Sequence, residues 1–216
     1  MGKLIDPKRM KRARRAREER AARILAAAHT SFVRFPYSEV SLDTIGQQAG
    51  VKQGQASLAF RSREELFITV VRTALGKWFD EFETRLGGSD EDLTVEAASE
   101  LIASTLAEHH ELTRILGSLH TALEIHEDGL QVHEFYQWQY RRLLATAAML
   151  AARIPGAERW DCFDALYRSL LVAAAVHPVS RPVGNLAVDL MAEENQIFAL
   201  DLEDEVRRVA SDSLKR

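Results

Sequence analysis

Ile24, Leu25, Ala28, Phe32 and Val33 stand at the spacing of one face of an α-helix, and this periodicity returns along most of the 216-residue chain. No run alternates apolar and polar residues convincingly with the period of two that a half-buried strand requires. The expected fold class is therefore all-α. A first helix is predicted from about residue 17 to the stop at Pro36, then short helices over 42–49 and 52–59. Ser62 and Glu65 have the spacing of a capping box and open a long fourth helix to about residue 86. Further helices are expected over 93–109, 112–125, 131–153, 159–176, 186–200 and 202–214, the last two as one broken helix or two.

The formal net charge of -4 conceals a split. Residues 1–66 hold 14 Lys/Arg against 7 Asp/Glu, a net of +7, and the remainder holds 14 against 25, a net of -11. A basic first third suits a polyanion, and an acidic remainder would be repelled by one, so two functional regions are expected. Residues 1–22 lack apolar periodicity, carry Lys3, Arg12, Arg14 and Arg15 among other cations, and read as a flexible basic arm. Cys162 is the single cysteine, which leaves no internal disulfide and no second thiol for a metal or redox motif. No run approaches the ~18 apolar residues of a membrane span, and "ILAAA" is too short for a signal-peptide core. The expectation is a cytoplasmic protein without a membrane partner.

Between the basic arm and the fourth helix lies a helix-turn-helix pattern. Ser41 is placed to cap the helix that follows it, and Gly50 stands where a left-handed cap would close that helix. The next short helix is polar, with Lys52, Gln53, Gln55 and Ser57, and a helix in that position of such a unit lies in the DNA major groove. Glutamine pairs with an adenine edge, which makes Gln53 and Gln55 the candidates for base readout. Lys52 could reach guanine or phosphate, Ser57 and Thr44 are candidates for phosphate, and Leu58 or Ala59 could meet a thymine methyl or pack on helix one. Arg61 and Arg63 flank the start of the fourth helix, where backbone dipoles favour anions. Arg12, Arg14 and Arg15 would add counterion release.

"RILAAAHTSF", Tyr37, "SLDTIGQQAGV", Gly54, Phe60 and "SREELF" together, in this order and spacing, resemble the DNA-binding domain of the TetR family of ligand-responsive transcriptional regulators. The resemblance covers residues 23–67; the rest is similar to the family in length and helical pattern. Four departures stand out: Pro36 in place of glycine, Gly46 in place of alanine, Lys52 where Ser or Thr caps the recognition helix, and Ala56 and Ser57 where Leu and Tyr are frequent. The resemblance implies a basic arm over 1–22, a three-helix helix-turn-helix DNA-binding domain over 23–66, and a larger helical ligand-binding and dimerisation domain over 67–216. It also implies a homodimer on a near-palindromic operator of double-stranded DNA, built from the last helices, including residues 159–176 and the C-terminal segment. An unknown small-molecule effector would be lined by Trp78, Phe82, Leu116, His120, Phe135, Trp138, Phe163 and Tyr167.

Parts of the sequence fit two other classes. His109, His110, His120, His126 and His133 lie near Glu111, Glu124 and Glu127, which suggests a metal-binding enzyme. Against it, no "HExxH" or comparable spacing, phosphate loop or nucleophile elbow occurs, so no enzyme, metal site or cofactor is expected. The other is a nonspecific DNA-binding scaffold that uses the basic arm alone.

Overall fold

The computed structural model describes residues 7–89 and 91–215 and contains only helices among them. The all-α expectation holds. Residues divide by packing into two units, one up to Val70 and one from Val71 onward.

The first unit holds α1 (Pro7–Arg34), a 3-10 turn (Tyr37–Glu39), α2 (Leu42–Gln48), α3 (Gln55–Ala59) and the start of α4 (Arg63–Leu86). Its core gathers Ile24, Ala28 and Phe32 of α1, Ile45 of α2, Ala56 of α3, and Phe60, Leu66 and Phe67. Phe32 and Phe67 meet edge to face at 4.8 Å between centroids, and Tyr37 completes the cluster at 4.9 Å from Phe67. α1 starts well before the apolar stripe does. The residues expected as a flexible arm are therefore helical from Pro7 onward, while residues 1–6 of that arm lie outside the described ones. Arginine and lysine are good helix formers, and ion pairs one turn apart, Arg14 to Glu18 at 2.7 Å and Arg15 to Glu19 at 3.0 Å, extend the helix into solvent.

The second unit continues α4 and adds α5 (Val95–Glu108), α6 (His110–Leu116), α7 (Leu119–Glu124), α8 (Gly129–Ala151), α9 (Arg159–Ser180), α10 (Asn185–Leu190), a 3-10 turn (Glu193–Phe198) and α11 (Leu202–Leu214). α9 is the central element and packs against α5, α6, α8 and α11. Leu202, Val206, Ala210 and Leu214 repeat every fourth residue, and this face of α11 is buried where the helix packs on α5 and α9.

Three helices differ from their sequence expectation. The single helix expected over 112–125 is two, because the chain breaks at Gly117, where a β-carbon would stand 3.4 Å from the carbonyl oxygen of Ala174. That carbonyl has no helical partner, since the residue four places on is Pro178, which lacks an N–H. α9 nevertheless runs through Pro178 to Ser180. The helix expected over 186–200 is α10 followed by a 3-10 turn, and neither contains a buried residue. Among the described residues, α9 is the one helix whose length and mean hydropathy match a membrane span, though Arg159, Asp161, Asp164 and Arg168 interrupt its apolar residues. Its inward face, with Cys162, Leu166, Leu170 and Ala173 all buried, is core. Burial pushes the Cys162 thiol up to about 11.

Candidate nucleic-acid interface

Local bonds hold the helix-turn-helix before any partner arrives. Thr44 N–H donates to Ser41 Oγ at 3.2 Å and Ser41 N–H donates to Thr44 Oγ1 at 3.1 Å, a reciprocal cap on α2. Gly50 at φ 63° and Gly54 at φ 74° shape the turn, a backbone region that residues with a β-carbon rarely enter. Gly54 is the residue before α3, so the second helix begins at Gln55 and not at 52 as expected; Lys52 and Gln53 belong to the turn. α2 and α3 approach closely at Gly46, where a β-carbon would meet Ala56 Cβ at 3.4 Å and Val51 Cγ2 at 3.6 Å. Ser31 Oγ, donating to Gln48 Oε1 at 2.6 Å, ties α2 to α1.

The outward surface of this unit carries most of the residues chosen from sequence. Lys52, Gln53, Ser57 and Arg61 are exposed, Gln55 is half-buried at the head of α3, and Leu58 is 80% exposed. Ala56 and Phe60 are the buried residues that anchor α3, leaving Leu58 to solvent. Leu42, Asp43, Gln47, Lys52 and Gln53 line a cleft between α2 and the turn. Arg12, Arg14 and Arg15 are exposed on the free length of α1.

Two of the chosen residues have other engagements. Thr44 is exposed, but its hydroxyl donates to the Ser41 carbonyl at 2.9 Å. Arg63 stacks over the Tyr37 ring at 4.4 Å, pairs with Glu64 at 2.9 Å, and donates to the carbonyls of Tyr37 and Val40, each at 3.4 Å. The Tyr37 hydroxyl donates to the same Glu64 carboxylate at 3.1 Å. Burial raises the Glu64 pKa, but bonds from its own backbone, Arg63 and Tyr37 outweigh it and hold the carboxyl below its usual range. Burial, reinforced by Glu64, pushes the Tyr37 phenol up to about 12. This three-residue cluster escaped sequence reasoning, because Tyr37 and Glu64 are 27 residues apart and only the fold brings them together.

In the second unit, the residues expected to line an effector fall into separate groups. Trp78, Phe82 and Phe135 are fully buried and Leu116 is 5% exposed, with Trp78 Nε1–H donating to Thr105 Oγ1 at 3.2 Å. Trp138 is half-buried, 6.0 Å from Phe135 and 6.4 Å from Phe79, and the Arg72 guanidinium lies over its ring. Phe163 and Tyr167 form a second aromatic group with Tyr140 and Trp160, and His120 is exposed on α7. The histidines disperse. His109 Nε2 pairs with Glu81 at 2.8 Å, His126 Nδ1 accepts from Asp128 N–H at 3.0 Å, and His110 and His133 are exposed. The described residues contain no group of three His, Cys, Asp or Glu placed to share a metal ion.

Residues 24–70 match the family model described as bacterial regulatory proteins, tetR family, and residues 72–215 match that of the tetracyclin repressor-like C-terminal domain. Among solved structures, the chain is similar to the fatty acid degradation regulator FadR from Bacillus halodurans, with 18% identity, TM-score 0.55, and coverage of 90% of this chain and 94% of that one. It is also similar to a putative TetR-family transcriptional regulator from Mesorhizobium loti, with 18% identity, TM-score 0.51, and coverage of 92% and 95%. A third similar structure is the transcriptional regulator FadR from Bacillus subtilis in complex with stearoyl-CoA, with 15% identity, TM-score 0.53, and coverage of 89% and 97%. At these identities the likeness is one of fold. No curated protein matches the chain significantly.

Proposed function

The chain belongs to the TetR family of transcriptional regulators, and from that premise we propose that it is a homodimeric repressor released from its operator by a small molecule. The exposed helix-turn-helix rim carries the DNA part of the reading. Lys52, Gln53, Ser57 and Leu58 face solvent on a unit rich in cations, with buried Ala56 and Phe60 holding α3 from behind. We assign base readout to Gln53 and Gln55, with Lys52, Ser57 and Arg61 on phosphates. The Arg12, Arg14 and Arg15 side chains add contacts to flanking backbone. Arg63 serves by fixing the start of α4 against Tyr37. One such unit spans few base pairs, so two copies about 34 Å apart, or a multiple, would read a near-palindromic site. Such a regulator works where the bacterial chromosome is, in the cytoplasm.

The effector would enter the second unit and prefer one spacing of the two recognition helices over the other, as thermodynamic coupling requires. The aromatic interior around Trp78, Phe82, Phe135 and Trp138 supports an effector with an apolar body. The stearoyl-CoA held by the Bacillus subtilis structure makes long-chain acyl-CoA thioesters the first compounds to try. Selection of bound fragments from genomic DNA, followed by titration of the recovered operator with and without each compound, tests the reading. It expects an inverted repeat, weaker and less selective operator binding in Gln53→Ala and Gln55→Ala, and at least one compound that lowers operator affinity. Equal affinity for random and selected DNA would reject the regulator, and binding unaffected by every compound that binds the second unit would reject effector release.

A further inference from the structure

Leu58 stands 80% exposed on a rim otherwise made of Lys52, Gln53, Gln55, Ser57 and Arg61. α3 does not use it for packing: Ala56 and Phe60 are buried and Ala59 is half-buried. The sequence leaves Leu58 and Ala59 between two tasks, packing on α1 or meeting DNA, and burial separates them. Within α3, Gln55 and Ser57 end in hydrogen-bonding groups and Ala56 and Ala59 in a single methyl, so Leu58 is the residue that carries an apolar branch outward.

Its backbone is fixed before any partner arrives. Leu58 N–H donates to the Gly54 carbonyl at 3.2 Å, and Phe60 N–H to the Ala56 carbonyl at 2.9 Å. Side chains on a helix lean toward its N-terminus, which sets Leu58 over the turn that holds Gly54 and Gln55. Gly54 has no β-carbon, and beyond its chain neighbours no atom lies within 4 Å of where one would stand. The first turn of α3 is therefore open to a flat partner beside Leu58.

A single exposed leucine is ordinary on most protein surfaces. This one lies on the rim of a DNA-binding helix-turn-helix, among amides and cations suited to base edges and phosphates. In the major groove the base edges present oxygens, ring nitrogens and amino groups, and one apolar group, the C5 methyl of thymine. An isobutyl side chain there has one complementary partner.

We propose that Leu58 closes on the C5 methyl of a thymine in each half-site and reads a base that the polar rim leaves unread. The proposal rests on the operator reading above and adds a base identity to it. Three residues advance about 4.5 Å along a helix against ~3.4 Å between base pairs, so for a helix lying along the groove the thymine falls within about one step of the pair that Gln55 reads.

The test uses full-length protein and the selected operator. Each half-site thymine is replaced in turn, in both half-sites together, by deoxyuridine, which pairs as thymidine does and lacks the methyl group. At one position wild type is expected to lose affinity about 15-fold, or about 4-fold for each methyl, while Leu58→Ala is indifferent to the same replacement. At that position wild type should also prefer 5-methylcytosine to cytosine by a similar factor, because the methyl returns on a different base, and Leu58→Ala should not. An operator with no thymine in its half-sites, or a wild type indifferent to every deoxyuridine, overturns the proposal. So does a deoxyuridine penalty that Leu58→Ala keeps in full, which would give the methyl to another residue or to DNA stiffness. Self-association at micromolar concentration that Leu58→Ala loses, with no deoxyuridine penalty in wild type, overturns it in favour of a protein contact. Each of these leaves the operator reading standing, whereas equal affinity of wild type for random and selected DNA overturns both.

Discussion

Thr113 Oγ1 lies 2.8 Å from His177 Nδ1 inside the second unit, where His177 is only 5% exposed. Burial above all, with the nearby charges of Arg114, Arg181 and His110, lowers the His177 pKa from its ordinary 6.5 to about 4. The folded protein thus holds a neutral ring. Between these values the unfolded chain binds the additional proton, so the contribution of His177 is complete above pH 6.5 and falls away as the pH drops toward 4. From pH 7 to pH 4.5 the loss is about 2–3 kcal/mol for this group. Urea unfolding of wild type and His177→Asn at both pH values checks it: the difference between the two proteins should shrink on acidification.

Gly46 sits inside α2 against α3, and its surroundings predict opposite outcomes for two substitutions. An added methyl group would make ordinary contact with Ala56 and Val51, so Gly46→Ala should stabilise the fold by about 0.5–1 kcal/mol through helix propensity. Gly46→Leu has no room, should cost ~1–3 kcal/mol, and should push α3 away from its seat. Thermal melts and operator titrations separate the two: alanine raises the melting temperature with DNA binding kept, and leucine lowers both.

The Tyr37, Arg63 and Glu64 cluster predicts that Arg63→Ala destabilises the first unit by about 1–2 kcal/mol, since it leaves a partly buried carboxylate short of a donor. Arg63→Lys should recover little of this, because an ammonium group cannot both stack on Tyr37 and reach two carbonyls. With a folded pKa near 12 against about 10 when unfolded, Tyr37 contributes stability that is intact below pH 10 and lost as the pH climbs toward 12. Absorbance titration at high pH, wild type minus Tyr37→Phe, should reveal one phenol ionising near 12.

The basic length of α1 and the rim of α3 should fail in different ways when altered. Replacing Arg12, Arg14 and Arg15 together with alanine should weaken binding to all sequences alike and, with three arginines lost from each copy of the dimer, reduce the slope of log affinity against log salt by up to about 5. Gln53→Ala should leave the slope unchanged and relax base preference at one position of each half-site. Equal slopes in the triple variant and wild type would remove these arginines from the interface.

Sequence patterns reached the helix-turn-helix in detail because its determinants are local. Ser41 and Thr44 are three residues apart, and so are Ser62 and Glu65, whose amide and hydroxyl meet at 3.0 Å. Both caps act within one turn of helix. α3 starts three residues later than its sequence pattern predicts because Gly54 precedes it, a choice made by the backbone turn from Gly50 to Gly54 rather than by apolar spacing. The resemblance implies one aromatic lining for the effector, and the fold distributes its aromatic residues between a buried cluster around Trp78 and an outer group around Phe163.

By itself the sequence determined the all-helical class, the basic first unit and the polar rim of α3, since periodicity, charge and capping act over one or two helical turns. Tertiary structure alone decided that Arg63 turns inward over Tyr37, that Gly117 splits a helix beneath the Ala174 carbonyl, and that residues 181–200 remain uncovered on their own chain. Those outcomes depend on which surfaces meet across tens of residues, and a linear pattern of residue types does not contain that information.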